Sequence, residues 1–224
     1  MIEYPLLFPI SDAALDTIAE ALTVQGFMLM DNFLDPALAQ QISAEVQNLA
    51  EYAFKPAAIG RENEAQLAPD IRSNTLYWIK GQTLPQQHYL AVMEQLRVGL
   101  NRRLFMGLFD FECQYSHYAP GDFYATHLDA FTGQSNRVLS TVYYLNPHWS
   151  EEDQGELVLY RDEHSPALLT AMPKFNRCVV FLSDTFPHEV RVTHKDRYAV
   201  AGWYRINTSI DGHIDPPIEY SSAK

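Results

Sequence analysis

Basic residues are scarce in this 224-residue sequence: 16 Lys and Arg stand against 28 Asp and Glu, a formal charge of −12. No basic cluster interrupts that excess, and a nucleic-acid binder needs a positive footprint, so DNA and RNA are excluded as partners. Cysteine is scarce too. Cys113 and Cys178 lie in apolar, strand-like runs without metal or redox spacing, which argues for buried thiols in a reducing compartment. No apolar run approaches the roughly 20 residues that span a bilayer, and Met1 to Pro5 lacks the basic start of a signal peptide. A soluble cytoplasmic protein with no membrane partner is expected. Internal repeats and low-complexity tracts are missing as well. What is present is an ordinary apolar fraction of 47% in a chain able to bury roughly 70% of its unfolded surface.

The pattern predicts a single domain over 1–224. Its first part, 1–108, reads as a largely helical support. Ser11-Asp12 caps a helix carrying Leu15, Ile18, Ala19 and Leu22 and ending at Gly26. Phe27 to Met30 reads as a short strand. Asp35-Pro36 opens a second helix with Leu38, Ile42, Val46, Leu49 and Ala53 on one face, and Pro85 opens a third that ends near Gly107. Between the last two helices, Lys55 to Asp70 predicts a mobile loop and Ile71 to Ile79 a strand.

After Gly107 the texture changes. Phe109, Phe111, Cys113 and Tyr115 alternate with Asp110, Glu112, Gln114 and Ser116, which predicts one buried and one polar face. Eight short strands at this spacing over 109–206 predict a mainly β fold with flanking helices, a jelly-roll core followed by a tail at 207–224.

Two residues apart on a strand, side chains share a face, so His127 and Asp129 can aim at one point. With eight His and 14 Asp, about half of one His-x-Asp pair is expected by chance. Three occur. His213/Asp215 precedes two prolines and reads as tail, and His194/Asp196 lies in a polar run and reads as an exposed turn. Only His127/Asp129 has strand-like flanks on both sides. With His188, and Arg197 nine residues later, it reads as an iron site with an anion clamp: two imidazoles and one carboxylate leave three metal positions open.

These residues, with Arg137-Val-Leu-Ser-Thr-Val-Tyr-Tyr-Leu-Asn146, Trp149, Pro173-Lys-Phe175, Pro187-His-Glu-Val190 and Arg197-Tyr-Ala199, resemble the Fe(II)/2-oxoglutarate-dependent dioxygenases. Within them the chain is similar to the prolyl 4-hydroxylase branch, over roughly Ile71 to Tyr204. The resemblance implies a double-stranded β-helix with His127, Asp129 and His188 as iron ligands. It implies Arg197, Tyr144 and Tyr118 around 2-oxoglutarate, and Arg72, Asn74 and Trp78 on a substrate loop at about 55–79. Fe(II), 2-oxoglutarate and O₂ would be consumed or bound, with ascorbate an optional reductant. The implied reaction hydroxylates a prolyl residue in a protein or peptide partner, with elongation factor Tu one candidate, and releases succinate and CO₂. Hydroxylation of a free amino acid and a non-catalytic metal-binding module remain as alternatives. Asn74 and Ala201 depart from the animal enzymes, which carry an aspartate and a threonine there.

Overall fold

The computed structural model describes residues 9–49, 51–57, 68–130, 136–207, 209–210 and 213–214. Helix α1 (Asp12–Val24) begins at Ser11, whose hydroxyl accepts from the Ala14 N–H, and buries Leu15, Ile18, Ala19 and Leu22. Such a cap contributes about 1 kcal/mol. Helix α2 (Pro36–Asn48) is capped by Asp35, and α3 (Leu84–Leu104) by Thr83. The Thr83 hydroxyl also donates to Glu45, while Gln86 and the Tyr115 hydroxyl donate to the other Glu45 oxygen. One carboxylate thereby ties α2 to α3 and to the sheet beneath. Gly99 lets α1 and α3 approach closely, since a Cβ there would lie 2.6 Å from Leu15. The expected second helix is too long: it stops at Asn48, and Ala53 belongs to a separate turn, Glu51–Ala53. Phe54 packs against Tyr77 and His117, and this contact draws the chain out of the helix path.

The strands are β1 (Phe27–Asp31), β2 (Lys55–Pro56), β3 (Thr75–Trp78), β4 (Leu108–Tyr118), β5 (Tyr124–His127) and β6 (Arg137–Tyr144). They continue with β7 (Leu157–Tyr160), β8 (Ala167–Ala171), β9 (Arg177–Leu182), β10 (His188–Val190) and β11 (Arg197–Ile206). A seven-stranded sheet runs β1-β9-β6-β11-β4-β3-β2, and a four-stranded sheet runs β5-β10-β7-β8. From β4 to β11 the chain crosses between the two sheets to build the double-stranded β-helix. Residues 209–210 and 213–214, within the expected tail, pair as β12 (Ser209–Ile210) and β13 (His213–Ile214).

Strand register decides which side chains meet. On one face of the large sheet, Cys113, Tyr115, Tyr143, Val200 and Tyr204 pack with Ile18, Ile42, Met93 and Leu96 of the helices. Each such side chain contributes about 1.5–3 kcal/mol when fully buried. On the opposite face, Tyr118, Ser116, Gln114 and Glu112 of β4 align with Arg197, Ala199, Ala201 and Trp203 of β11. The last three of these align in turn with Tyr144, Val142 and Ser140 of β6. This second face meets the smaller sheet through Tyr118, Tyr144 and Phe181 against Leu157, Leu159 and Val190.

The polar face expected for β4 is polar but is not the opposite of a buried one: Asp110, Gln114 and Ser116 are buried too. A central strand with helices on one side and a second sheet on the other has no face left for water. The strand expected over Ile71 to Ile79 is shorter for a related reason. Residues 71–73 bond along 123–125 instead, with Ala125 N–H to the Ile71 carbonyl at 2.8 Å, so only Thr75–Trp78 pair with β4. Of the expected loop, residues 58–67 lie outside the described residues.

Candidate active site

β5 ends at His127 directly opposite His188 at the start of β10. Asp129 follows as the chain leaves β5, and one donor atom from each of the three residues lies within 4.8 Å of the others. Asp129 Oδ1 is 3.7 Å from His127 Nε2, and Oδ2 is 3.6 Å from His188 Nε2. Both imidazoles turn Nδ1 to a carbonyl: His127 to Ala125 at 2.8 Å and His188 to Phe186 at 3.0 Å. A carbonyl can only accept, so Nδ1 carries the proton and each Nε2 lone pair faces the centre. The third group is oriented by hydroxyls. Ser140 donates to Asp129 Oδ2 at 2.7 Å and lies 2.9 Å from the buried Ser183 hydroxyl, which must donate because the Ser140 proton is already committed.

The electrostatics suit a dication. Burial alone pushes the Asp129 carboxyl up, but His188, His127 and Arg137 pull it below the usual carboxylate range. Burial and then the neighbouring His127 lower His188 to about 4, from 6.5 in an unperturbed chain. Between those values the unfolded chain binds more protons than the folded one, so stability falls as pH drops from about 6.5 to about 4. The expected loss is about 3 kcal/mol, read as the urea midpoint of metal-free protein across that window. His188→Gln, which takes up no proton there, should flatten the slope; an equally steep slope in that variant would assign the loss to another group.

Deeper along the same face lies a second group of residues. Arg197 is 1% exposed, and its Nε donates to the Gly155 carbonyl at 2.8 Å. Gly155 has φ +71°, and a Cβ on it would come within 2.9 Å of Thr193 and 3.1 Å of Arg197. Its backbone can thus approach where another residue could not. The Arg197 guanidinium lies 4.9 Å from the Tyr118 ring centre and 5.2 Å from that of Tyr144. Arg197 Nη2 and the Tyr144 hydroxyl are buried without a hydrogen-bond partner. Burial raises the phenols of Tyr118 and Tyr144, so both stay protonated as donors. A buried cation and a buried donor left unsatisfied, with the guanidinium 5.2 Å from the phenol ring centre, carry a cost that an anionic acceptor would remove.

Residues 113–205 match the family described as the 2OG-Fe(II) oxygenase superfamily. A Pseudomonas putida prolyl-4-hydroxylase of known structure is 34% identical, with a TM-score of 0.77 over 86% of this chain and 98% of that one. The chain belongs to the 2OG-Fe(II) oxygenase superfamily. A prolyl hydroxylase from Trichoplax adhaerens, solved with a hypoxia inducible factor oxygen degradation domain peptide fragment, also superimposes with a TM-score of 0.77. It is 27% identical, covering 87% of this chain and 90% of that one. Rat Egl nine homolog 1 is 28% identical over 88% of this chain. The chain spans 60% of that protein's length and about half of the mouse and human counterparts. Members of this superfamily use Fe(II), 2-oxoglutarate and O₂. The donor set here fits that metal, two neutral imidazoles and a carboxylate with room for further ligands. The unsatisfied Arg197 and Tyr144 fit the far carboxylate of the co-substrate.

The oxygenase fold separates the other expected residues. Asn74 is fully buried and accepts from Arg72 Nε at 2.7 Å, so neither side chain is free in the way a loop contact would be. Trp78 is 41% exposed and aligns with Gln114 on the barrel face. His194 turns to the Glu152 carbonyl and Asp196 to His117, so that pair diverges. Asp215 lies outside the described residues. Among the described residues, no other trio of His, Cys, Asp or Glu gathers as His127, Asp129 and His188 do. Sequence reasoning missed Ser140, Ser183, Gly155 and Tyr124. A serine in a strand carries no local mark of the carboxylate it will meet, and Ser183 reads as part of a turn. An open groove of about 680 Å³, lined by residues of α1, β1, the β1–α2 turn and α3, contains none of these groups.

Proposed function

We propose that the chain hydroxylates a prolyl residue within a protein, using Fe(II) and 2-oxoglutarate. The observation that carries this reading is the pair of unsatisfied groups, Arg197 Nη2 and the Tyr144 hydroxyl, buried in the barrel that holds the His127, Asp129 and His188 donors. A dicarboxylate explains both ends. Arg197 and Tyr144 would hold its far carboxylate, with the Tyr118 ring beside the guanidinium. His127 Nε2, His188 Nε2 and Asp129 would hold the iron, with Ser140 fixing the carboxylate. Iron with 2-oxoglutarate supplies the oxidising power: one O₂ and one 2-oxoglutarate become succinate, CO₂ and the hydroxyl oxygen placed on the substrate C–H.

The protein's own task is to bind, orient and exclude water. Support for a polypeptide substrate comes from the prolyl hydroxylases among its relatives, one of them solved with a peptide. Trp203 is aligned with Ser140, and the Arg137 guanidinium lies 3.9 Å over its ring, braced by Glu112 at 2.8 Å. Trp78, 41% exposed, is the most accessible of the three expected substrate contacts. The buried thiols Cys113 and Cys178 support a reducing, cytoplasmic setting. Elongation factor Tu is a first protein to assay.

The experiment is direct. Proline-containing peptides and purified elongation factor Tu, incubated with enzyme, Fe(II) and 2-oxoglutarate, should gain 16 Da on proline by mass spectrometry, with stoichiometric succinate. Efficient turnover of free L-proline with none on any peptide or protein would replace this reading with small-molecule hydroxylation.

A further inference from the structure

The pairing of β5 with β10 contains an irregularity. His188 faces His127 and Val190 faces Tyr124, so a two-residue step on β10 spans a three-residue step on β5. The extra residue is a β-bulge, and it puts side chains three apart onto one face. Tyr124 consequently stacks on His127, ring centres 3.5 Å apart and planes 17° from parallel. With that face covered, the other face of the phenol takes Arg72, whose guanidinium carbon lies 4.5 Å from the ring centre. Arg72 is itself anchored. Its Nε donates to Asn74, whose amide donates onward to the Thr75 carbonyl at 3.1 Å. Backbone bonds from Ser73 to Phe123 and from Ala125 to Ile71 hold the whole segment against β5.

We propose that Tyr124, clamped by Arg72 on Asn74, is a positioning residue for His127, so that segment 71–74 sets the metal affinity of the site before any substrate arrives. The inference rests on the metal reading of His127, Asp129 and His188. The Nδ1 bond to Ala125 fixes the direction of the imidazole within its plane but leaves the plane itself to be fixed. A flat ring at 3.5 Å fixes it, and the guanidinium holds that ring down. Asn74 matters because a neutral carboxamide orients Arg72 without cancelling its charge over the phenol.

Charge and bracing predict opposite signs, which makes the idea decidable. A guanidinium near a bound dication repels it, so if charge alone mattered, Arg72→Ala would tighten metal binding. If bracing dominates, the same variant weakens it. The measurement is Mn(II) binding to metal-stripped full chain, without 2-oxoglutarate or peptide, counting free Mn(II) by its EPR signal. Tyr124→Leu, which keeps bulk but loses the flat face, is expected to weaken binding by about 10-fold or more, as loss of a ligand's supporting partner does. Tyr124→Phe should stay within about twofold, and Arg72→Ala should weaken binding several-fold. Thermal midpoints confirm that each variant is folded, and Arg72→Ala, altered at the rim of the fold, carries the test if Tyr124→Leu does not fold. Unchanged or tighter Mn(II) binding in Arg72→Ala, or wild-type binding in folded Tyr124→Leu, overturns the brace. A wild type that takes up no Mn(II) overturns the metal reading itself.

Discussion

His127→Ala is expected to abolish iron-dependent turnover of 2-oxoglutarate, while His213→Ala leaves it near wild type. Both residues belong to a His-x-Asp pair, so the contrast tests context rather than motif. His127 presents Nε2 to the Asp129 carboxylate and a second imidazole, whereas His213 is paired with Ile210 across β12 and β13. Losing an outer partner of a metal ligand already costs about 10- to 100-fold, so losing the ligand should exceed about 100-fold. Succinate release under saturating 2-oxoglutarate gives the activity, and metal content of the purified variant gives an independent readout. Equal losses in the two variants would sink the assignment of the centre.

Arg197→Ala should raise the 2-oxoglutarate requirement by roughly 10²- to 10³-fold, following an about 3–4 kcal/mol cost, at the lower end of that for removing one partner of a buried ion pair. The guanidinium is buried, its Nε is held by Gly155, and Nη2 has no partner. Arg191 is the control: half exposed and 3.6 Å from Glu189, it should barely matter. Arg197→Met keeps the side-chain bulk without the charge, and separates loss of the clamp from loss of packing. The same geometry predicts that N-oxalylglycine or succinate raises the thermal midpoint of wild type, since a ligand that binds only the folded state stabilises it by mass action. That shift should vanish in Arg197→Met. An unchanged 2-oxoglutarate requirement in both variants would place the clamp elsewhere.

Local pattern carried a good deal of this protein. Ser11 and Asp35 can cap because a side-chain oxygen reaches an N–H two or three residues on, and the stripes they precede bury as the 3.6-residue period requires; the Thr83 cap of α3, two residues before the expected Pro85, was not read. Strands from Leu108 to Ile206 follow from alternation and turn residues, and their number and spacing suffice for a jelly-roll. The sequence by itself also determined that His127 and Asp129 could share a face, and resemblance added His188 and Arg197. Tertiary structure decided the rest. Alternation says which residues share a face but not what that face meets, so Gln114 and Ser116 read only as a polar face, and the second sheet that buries them could not be read. The bulge that brings Tyr124 onto His127 exists only in the pairing of β5 with β10, and it defeats the two-residue period that a strand would otherwise obey. The Gly155 carbonyl meets Arg197 across 42 residues, and Ser183 meets Ser140 across 43. Such partners depend on long-range register, which no window of local sequence specifies, because each is set by how whole sheets pack and not by the residues beside it.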